Sequence, residues 1–158
     1  MMEKVYSRPS GIFEGAVTGF CPGCMHSSVC KIVTEALDEL GMVDNACYVQ
    51  GVGCCGLAVT YFDFDTVAAP HGRACAIASS FKRCSPETLV FTYQGDGDLA
   101  SIGTNEIVHA CHRGEKLTVI FINNAIYGMT GGQMAPTTLI GQKTTTSPYG
   151  RKEEWSGA

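Results

Sequence analysis

Two stretches decide the fold of this chain: Gly95-Asp-Gly-Asp98 and Asn123-Asn-Ala-Ile-Tyr-Gly128. Each follows an apolar segment typical of a buried strand, Thr88–Tyr93 before the first and Leu117–Ile122 before the second. Because Gly, Asp and Asn dominate turns, either stretch alone would indicate a simple turn. At this spacing, with one helix and one strand between them, they indicate loops at the ends of two neighbouring parallel strands.

Around these loops the sequence alternates between helical and strand-like patterns. Ala46–Gln50 is predicted to be a short strand, and Tyr61–Pro70 to be irregular. Helices are predicted near Arg73–Arg83, with an apolar face, and over Leu99–Arg113. An earlier helix, with Ser27 or Ser28 as its N-cap and Gly41 as its end, has an apolar face formed by Val29, Ile32, Val33, Ala36, Leu37 and Leu40.

Alternating strands and helices predict the α/β class, with a parallel sheet flanked by helices and right-handed crossovers. Ligands of such sheets bind beyond the carboxyl ends of the strands. Three of these ends carry unusual residues in this sequence: 51–56, 95–98 and 123–128. The sequence therefore predicts one binding site at this edge of the sheet.

Composition limits the class of protein. The 158 residues, 45% of them apolar, predict a single domain over 1–158, with an N-terminal arm at 1–19 and a long loop and tail at 131–158. The net charge of −4 and the absence of a basic stripe argue against nucleic acid as a partner. No apolar stretch approaches the roughly 20 residues that span a membrane, and no signal pattern begins the chain, so a cytoplasmic protein is expected.

The C-terminal part of the chain has little apolar periodicity. Residues 131–150 are rich in Gly, Thr and Pro, and long loops of this kind are usually functional or disordered. Residues 151–158 show no closing strand or helix. We expect the sequence to be a C-terminally truncated fragment of a longer subunit.

The chemistry of the two loops suits a phosphate and a metal. The glycines that flank Asp96 allow a tight turn and close approach of a phosphate to the backbone. The helix that starts near Leu99 offers free N–H groups to the same phosphate. The carboxylate of Asp96 and the amide oxygen of Asn124 are hard ligands suited to Mg²⁺, which usually shares its coordination shell with substrate phosphates and water.

Nine cysteines in a chain without a signal indicate reduced thiols that are available as ligands. Cys21-Pro-Gly-Cys24 is a two-thiolate clip, which alone could also be half of a zinc site or a redox pair. Cys54, at a predicted strand end, is a third candidate ligand. The remaining cysteines in patterned segments are expected to be core or surface fillers: Cys30, Cys47, Cys75, Cys84 and Cys111.

Gly95-Asp96-Gly97, followed after 25 residues by Asn123-Asn124, resembles the motif of thiamine diphosphate enzymes. The resemblance implies the half of that fold which binds the diphosphate. It implies Mg²⁺ held by Asp96, the Asn124 side chain and the Ile126 carbonyl. The other residues that it implies as cofactor-binding are Gly53, Cys54, Gly95, Gly97, Asp98, Asn123, Tyr127, Gly128, Met129 and Thr130.

A narrower resemblance covers nearly the whole chain. Cys21-Pro-Gly-Cys24, Gly51-Val-Gly-Cys54, His71-Gly-Arg-Ala74, the acidic loop and 127–133 occur in one order, as in the β subunit of 2-oxoacid:ferredoxin oxidoreductases. The segment 142–151 is most similar to the 2-oxoisovalerate and 2-oxoglutarate members. The resemblance implies oxidative decarboxylation of a 2-oxoacid to acyl-CoA and CO₂, with coenzyme A as co-substrate and electrons passed to ferredoxin in anaerobic metabolism.

The same resemblance gives roles to the cysteines and to one histidine. Cys21, Cys24 and Cys54 match three ligands of a [4Fe–4S] cluster, whose fourth ligand is not in this chain. Cys55 could substitute for Cys54, but neighbouring cysteines rarely bind one cluster without strain. His71 matches a position near the reacting centre, where it would contact the substrate or move a proton; a helix-capping histidine is the alternative.

The resemblance also implies partners. The glutamate that tunes the aminopyrimidine ring of thiamine diphosphate comes from a separate pyrimidine-binding domain, so an α subunit would complete the site in a hetero-oligomer, together with γ and δ subunits. Two alternatives remain open at this stage. One is a subunit of a non-oxidative thiamine diphosphate decarboxylase or synthase, and the other is a non-catalytic zinc- or cluster-bearing interaction module.

Overall fold

The computed structural model describes Val5 and residues 7–153. Residues 1–4, Tyr6 and 154–158, which belong to the predicted N-terminal arm and the predicted tail, lie outside the described residues. The described chain forms the predicted parallel sheet, with strands in the spatial order β2-β1-β3-β4. The strands are Ala46–Gln50 (β1), Asp65–Ala68 (β2), Leu89–Gly95 (β3) and Thr118–Ile122 (β4).

Within the described residues, three helices flank the sheet: His26–Glu39 (α1), Ala74–Cys84 (α2) and Thr104–His112 (α3). A two-stranded antiparallel hairpin, Ile126–Tyr127 (β5) with Gln133–Met134 (β6), follows the sheet. Short 3₁₀ helices cover Val43–Asn45 and Cys54–Thr60, and a π-helical turn covers Asp98–Ile102. No helix among the described residues is long and apolar enough to cross a membrane.

The core lies on both faces of the sheet because successive strand residues point to opposite sides. On one face, Tyr48 stacks on Phe91, with ring centroids 5.6 Å apart, and packs with Cys30 and Leu37 of α1. On the other face, Val49 and Val90 pack against α2. This alternation along β1 and β3 fixes the register that brings the two strand ends together.

The predicted apolar face of α1 is correct only in part: Leu37 is buried and Val29 and Val33 pack against the core, but Ala36 is exposed. The buried residues are His26, Cys30, Thr34 and Leu37, whereas Ile32 and Leu40 are 61% and 66% exposed. Thr34 tolerates burial because its hydroxyl donates to the backbone carbonyls of Cys30 and Lys31. The predicted N-cap is wrong: α1 begins at His26, so Ser27 and Ser28 lie within its first turn.

Other expectations are met only in part. The region predicted to be irregular contains β2, a short strand that begins with Asp65 and has no alternating apolar pattern. The predicted helix 99–113 is divided at Gly103 between the π-helical turn and α3. β4 exists, but it is the last strand of the described sheet and Phe121 is exposed, so the expected burial is wrong. The long loop contains β6 and a bridge between Ile140 and Arg151.

Candidate functional site

The carboxyl ends of all four parallel strands meet at one edge of the sheet. In the sheet, β2 lies on one side of β1, whereas β3 and then β4 lie on its other side. The loops that follow β1 and β3 therefore border the topological switch point, where ligands of open α/β sheets bind. The loop after β2 brings His71 to the same edge, and the loop after β4 begins at Asn123.

These loops enclose the strand-end cleft, which we define by the residues that line it. Of the predicted site residues, the cleft gathers Gly53, Cys54, His71, Gly95, Asp96, Gly97, Asp98, Asn124, Ile126, Tyr127, Gly128, Met129 and Thr130. Three other predicted residues, Asn123, Cys21 and Cys24, are not part of its lining. The sequence therefore predicted most of the residues of one continuous cleft.

The cleft is also lined by four residues that sequence reasoning did not select: His26, Val52, Cys55 and Ile122. His26 is the most informative of them. Its ring stacks on Phe20 with centroids 4.9 Å apart, and its Nδ1 contacts the hydroxyl of Tyr93. Burial lowers the pKa of the His26 imidazole below its ordinary value, which favours a neutral ring. The sequence feature that could have pointed to His26 is its position two residues after Cys24.

Asp96 lies at the end of β3 and is only 2% exposed. The hydroxyl of Thr137 donates a hydrogen bond to its Oδ2. Within the described chain this is the one hydrogen bond to the Asp96 side chain, so Oδ1 keeps its capacity to accept or to coordinate. A buried carboxylate with unused capacity that lines a cleft is a good candidate for a cation ligand.

Asp98, two residues later, is equally buried but has a different environment. Its carboxylate accepts four hydrogen bonds from the loops after β1 and β2 and from β3 itself. The donors are Nδ1 of His71 at 2.5 Å, the backbone N–H of Gly72 at 2.8 Å, the backbone N–H of Val52 at 3.2 Å and Nε2 of Gln94 at 2.5 Å. One side chain thus ties three strand ends together.

The loop after β4 is shaped by its two asparagines. The backbone N–H of Ala125 donates to Oδ1 of Asn123 at 3.0 Å, and that of Ile126 donates to Oδ1 of Asn124 at 3.2 Å. Ala125 has a φ of 63°, the only positive value among the described non-glycine residues. The hydroxyl of Thr138 stabilises this turn by donating to the Ala125 carbonyl at 2.5 Å.

Residues 135–138, which we call the cap segment, connect the two halves of the cleft. Thr137 bonds Asp96 and Thr138 bonds Ala125, so the segment touches both the acidic loop and the asparagine loop. Arg151 anchors it through hydrogen bonds from Nη1 to the carbonyls of Ala135, Pro136 and Thr138. The predicted long loop is therefore a support for the cleft in this part of the chain.

Close packing explains one glycine of the acidic loop. A Cβ atom on Gly97 would lie 2.2 Å from Cε1 of Tyr127, a distance that real contacts do not reach. The Tyr127 ring therefore lies directly on the Gly97 backbone, and its hydroxyl donates to Oγ of Ser101 at 2.9 Å. Around Gly95, by contrast, a Cβ atom would meet nothing closer than 4.0 Å.

The three candidate thiols are near one another without forming a finished metal site. Burial raises the pKa of the Cys54 thiol, and the neighbouring Cys24 and Cys21 raise it further. Among the described residues, however, no three His, Cys, Asp or Glu side chains converge closely enough to hold a metal ion. Cys55 is turned into the core, where burial raises its pKa to about 12, which favours Cys54 as the ligand of the pair.

Comparison with known proteins places this cleft in a family. Residues 51–156 match the family described as thiamine pyrophosphate enzyme, C-terminal TPP binding domain, in which thiamine pyrophosphate is another name for thiamine diphosphate. The match covers all four strand-end loops, since the loop after β1 begins at Gly51. The chain belongs to this family. The expected fold, a parallel sheet flanked by helices that forms one half of a thiamine diphosphate enzyme, is confirmed.

Relatives of this thiamine diphosphate-binding chain include oxidoreductase subunits. It is 48% identical over 156 residues to ketoisovalerate oxidoreductase subunit VorA of Methanothermobacter thermautotrophicus, covering 99% of this chain and 32% of the relative. It is 46% identical over 136 residues to 2-oxoglutarate synthase subunit KorB of Archaeoglobus fulgidus, covering 86% and 51%. The resemblance to 2-oxoacid:ferredoxin oxidoreductase subunits of these two types is confirmed.

A solved 2-oxoacid oxidoreductase structure has the same fold as this chain. The 2-oxoglutarate:ferredoxin oxidoreductase of Magnetococcus marinus, with 2-oxoglutarate, coenzyme A and succinyl-CoA bound, superposes with a TM-score of 0.86 at 30% identity. The superposition covers 95% of this chain and 52% of that chain. The chain thus spans about half the length of this neighbour and of KorB, and about a third of VorA.

Proposed function

We propose that this chain is the thiamine diphosphate-binding β subunit of a 2-oxoacid:ferredoxin oxidoreductase. The reaction would convert a 2-oxoacid, coenzyme A and oxidised ferredoxin into acyl-CoA, CO₂ and reduced ferredoxin. The observation that carries the proposal is the strand-end cleft, in which the acidic loop and the asparagine loop face each other within the family-matched region. The relatives named above support the oxidative, ferredoxin-linked reaction over a non-oxidative one.

The residues of the cleft fit Mg²⁺ and a diphosphate. We assign Asp96, the Asn124 side chain and the Ile126 carbonyl as the protein ligands of Mg²⁺. Asp96 fits because it lines the cleft and, in the described chain, accepts one hydrogen bond, at Oδ2, and Mg²⁺ prefers such hard oxygen ligands. Asn123 would hold the loop rather than touch the metal, since its amide oxygen accepts the N–H of Ala125.

The backbone around the metal would bind the phosphates. We assign this role to Gly95 and Gly97 of the acidic loop and to residues 127–130 after the hairpin strand β5. The close contact of Tyr127 with Gly97 supports the assignment, because it holds the two loops at a fixed separation. Gly53 has a φ of 119°, a conformation that favours glycine, and it would let the loop after β1 approach the cofactor closely.

Three thiols would hold part of a [4Fe–4S] cluster. We assign Cys21, Cys24 and Cys54, with a fourth ligand from outside this sequence. The mutual effect of these thiols on the pKa of Cys54 supports the assignment, because thiolates that repel each other are stabilised together by bound cations. Cys54 also lies next to the asparagine loop: a Cβ atom on Gly128 would be 3.6 Å from its Sγ. This proximity would bring the cluster beside the cofactor.

When bound, thiamine diphosphate supplies an electron sink for breaking the carbon–carbon bond of the 2-oxoacid. The residues of this chain would orient the cofactor and manage charge and protons around it. His71 is the candidate catalytic residue, since its side chain lines the cleft and is held on one nitrogen by Asp98. It would contact the substrate carboxylate or move a proton at its other nitrogen.

The proposal requires partner chains. The described residues form one α/β domain, and its family is the C-terminal cofactor-binding half of thiamine diphosphate enzymes. An α subunit would supply the pyrimidine-binding half, with γ and δ subunits and ferredoxin completing a cytoplasmic complex. The names of the relatives as subunits support this assembly.

A branched-chain 2-oxoacid is our first candidate substrate. None of the cleft-lining residues in the described chain is Lys or Arg, the usual partners of a second carboxylate such as that of 2-oxoglutarate. Val52, Ile122 and Met129 give part of the lining an aliphatic character instead. The 48% identity to the ketoisovalerate oxidoreductase subunit, over 99% of this chain and 32% of the relative, supports the same choice.

The test is anaerobic purification of the complex that contains this chain, followed by assays of cofactors and activity. We expect the complex to contain thiamine diphosphate and magnesium. We also expect iron and sulfide, with as much sulfide as iron. We also expect coenzyme A-dependent reduction of a viologen dye, with 2-oxoisovalerate preferred over 2-oxoglutarate. Bound zinc without thiamine diphosphate would refute the proposal, and thiamine diphosphate without iron or sulfide would favour the non-oxidative alternative.

A further inference from the structure

The most densely bonded carboxylate of the cleft belongs to Asp98, although its position in the motif predicts contact with the cofactor. Its Oδ1 accepts from His71, Gly72 and Val52, and its Oδ2 accepts from Gln94. Such an oxygen pair has about four acceptor sites. With four donors from the protein in place, Asp98 has little capacity left for a cofactor or a metal.

The donors reach Asp98 because the surrounding backbone leaves room for it. A Cβ atom on Gly51 would lie 2.5 Å from Oδ2 of Asp98, so only glycine fits there. On the other side, Gly72 approaches the backbone of Gly103 so closely that a Cβ atom would lie 2.7 Å from the Gly103 nitrogen. The loops after β1 and β2 are thus shaped around this carboxylate.

A buried chain of hydrogen bonds continues behind Asp98. The thiol of Cys75 donates to Oε1 of Gln94 at 3.3 Å, and Nε2 of Gln94 donates to Asp98. This order fixes the Gln94 amide, because the carboxylate can only accept. Burial raises the pKa of Cys75 to about 11, which keeps its proton available for donation. This chain of hydrogen bonds runs from the core to the cleft and ends at the ring of His71.

The ring of His71 is held on one side only. Because the carboxylate is an acceptor, Nδ1 of His71 carries the proton of their 2.5 Å hydrogen bond. Nε2 makes no hydrogen bond within the described part of the chain. The side chain is 35% exposed and lines the cleft, so Nε2 is the ring nitrogen left for a ligand.

We propose that Asp98 is the positioning residue of His71, fixing its tautomer and orientation so that Nε2 serves the substrate in the cleft. The inference rests on the proposed function and deepens it. It gives the two aspartates of the acidic loop separate tasks: Asp96 binds the metal of the cofactor, and Asp98 acts through His71. Neutralising Asp98 should therefore impair turnover without releasing the cofactor.

The test uses the anaerobically purified complex with four variants in this chain: Asp98→Asn, His71→Asn, the double variant and Glu115→Gln. Glu115 is the matched control, since it is a carboxylate bonded by two arginines, Arg83 and Arg113, and does not line the cleft. Bound thiamine diphosphate is measured by fluorescence after oxidation to thiochrome. The kcat and KM for 2-oxoisovalerate are measured separately.

For Asp98→Asn we expect full cofactor content and a kcat about 10- to 100-fold lower, the range typical of residues that orient another ligand or base. The double variant should be no slower than His71→Asn alone, because Asp98 acts through that ring. Glu115→Gln should match the wild type. Independent, multiplying losses in the double variant would overturn the inference, as would loss of thiamine diphosphate from Asp98→Asn.

A second measurement needs no variant and decides the matter if Asp98→Asn fails to assemble. In a structure of the wild-type complex loaded with thiamine diphosphate, Nδ1 of His71 should remain bonded to Asp98. A ring turned away from Asp98, or Asp98 coordinated to the metal, would overturn the inference. A wild-type complex that binds no thiamine diphosphate would instead refute the proposed function, so the two failures are distinguishable.

Discussion

Asp96 and Asp98 lie two residues apart, are equally buried and still differ in what their carboxylates can do. Four donors from three strand ends converge on Asp98, whereas in the described chain only the hydroxyl of Thr137 bonds the side chain of Asp96. Burial therefore does not distinguish a ligand from a structural anchor. The number of donors already in place does, since an acceptor that is already satisfied gains little from a cation.

The loop after β1 shows the same division between neighbouring residues. Both residues line the cleft, but Cys54 is half-buried beside Gly128, whereas Cys55 is 1% exposed and belongs to the core cluster. The hydroxyl of Tyr48 also donates to the Cys55 carbonyl at 2.9 Å, which anchors this residue to β1. In both loops, one residue is available to a ligand and its near neighbour holds the loop in place.

The two cysteines should differ most in alkylation. Burial raises the pKa of Cys55 from 9.0 to about 12, which lowers its thiolate fraction roughly 1,000-fold near neutral pH. After iron chelation, iodoacetamide should modify Cys54 at least about 100-fold faster than Cys55 from pH 7 to 10, as read by peptide fragmentation. Cys54→Ser should remove this labelling and Cys55→Ser should keep it. Equal alkylation rates of Cys54 and Cys55 in the folded complex would contradict this difference between the two thiols.

The raised pKa of Cys55 also makes the stability of the folded state depend on pH. A thiol whose pKa is raised by folding stabilises the folded state below its unfolded pKa near 9, and this contribution is lost as the pH rises toward 12. Replacing Cys55 with Ala should therefore flatten the loss of stability above pH 9 in chemical denaturation. Replacing the exposed Cys84 should leave that slope unchanged.

Removing the carboxylate of Asp96 should have the largest effect on the cofactor. We expect Asp96→Asn to lower the affinity for Mg²⁺ and thiamine diphosphate by more than about 100-fold, beyond the loss typical of residues that only orient a ligand. Titration calorimetry on the cofactor-depleted complex measures this directly. Asp63→Asn, on the exposed surface, is the control. Unchanged affinity in Asp96→Asn would remove Asp96 from the metal site.

The two glycines of the acidic loop give a matched pair for stability. Gly97→Ala should destabilise the chain by about 1–3 kcal/mol, because its Cβ atom would overlap the ring of Tyr127. Gly95→Ala should change stability by less than about 0.5 kcal/mol, since a Cβ atom has room there. Thermal unfolding of the complex checks both values, and equal losses would contradict the close contact of Tyr127 with Gly97.

A smaller effect is expected from the hydroxyl that supports Asp96. Thr137→Val keeps the shape of the side chain and removes its hydrogen bond to Oδ2, so the affinity for thiamine diphosphate should fall about 10-fold. Thr137→Ser, which keeps the hydroxyl, should bind nearly as the wild type does. If both variants bind alike, the cap segment does not orient Asp96.

Local patterns predicted the part of the fold in which they repeat. β1 was predicted with its observed bounds, and α2 within one residue at each end, because apolar spacing reports directly on a packed strand or helix. β2 was missed because this short strand at the edge of the sheet carries polar residues and no alternation. The burial of α1 was mispredicted because His26 and Thr34 satisfy their polar groups internally, which no apolar pattern can indicate.

The residues of the candidate site were easier to predict than their tasks. The spacing of the two loops was enough to select Asp96 and Asn124, because parallel strands end at one edge, whereas Tyr127 was selected only through the resemblance to thiamine diphosphate enzymes. The separate environments of Asp96 and Asp98 depend on Thr137 and Gln94, whose bonds join positions that no local pattern connects. The cap segment was predicted only as a loop because its order comes from Arg151 and from the contacts of two threonines.

The most direct measurement is the position of the metal. Crystals of the complex prepared with thiamine diphosphate and Mn²⁺ in place of Mg²⁺ would give an anomalous signal at the metal. We predict one peak within bonding distance of Asp96 and Asn124, with Asp98 still bonded to His71. A peak on Asp98, or bound thiamine diphosphate with no metal beside Asp96, would contradict the assignment of the cofactor site.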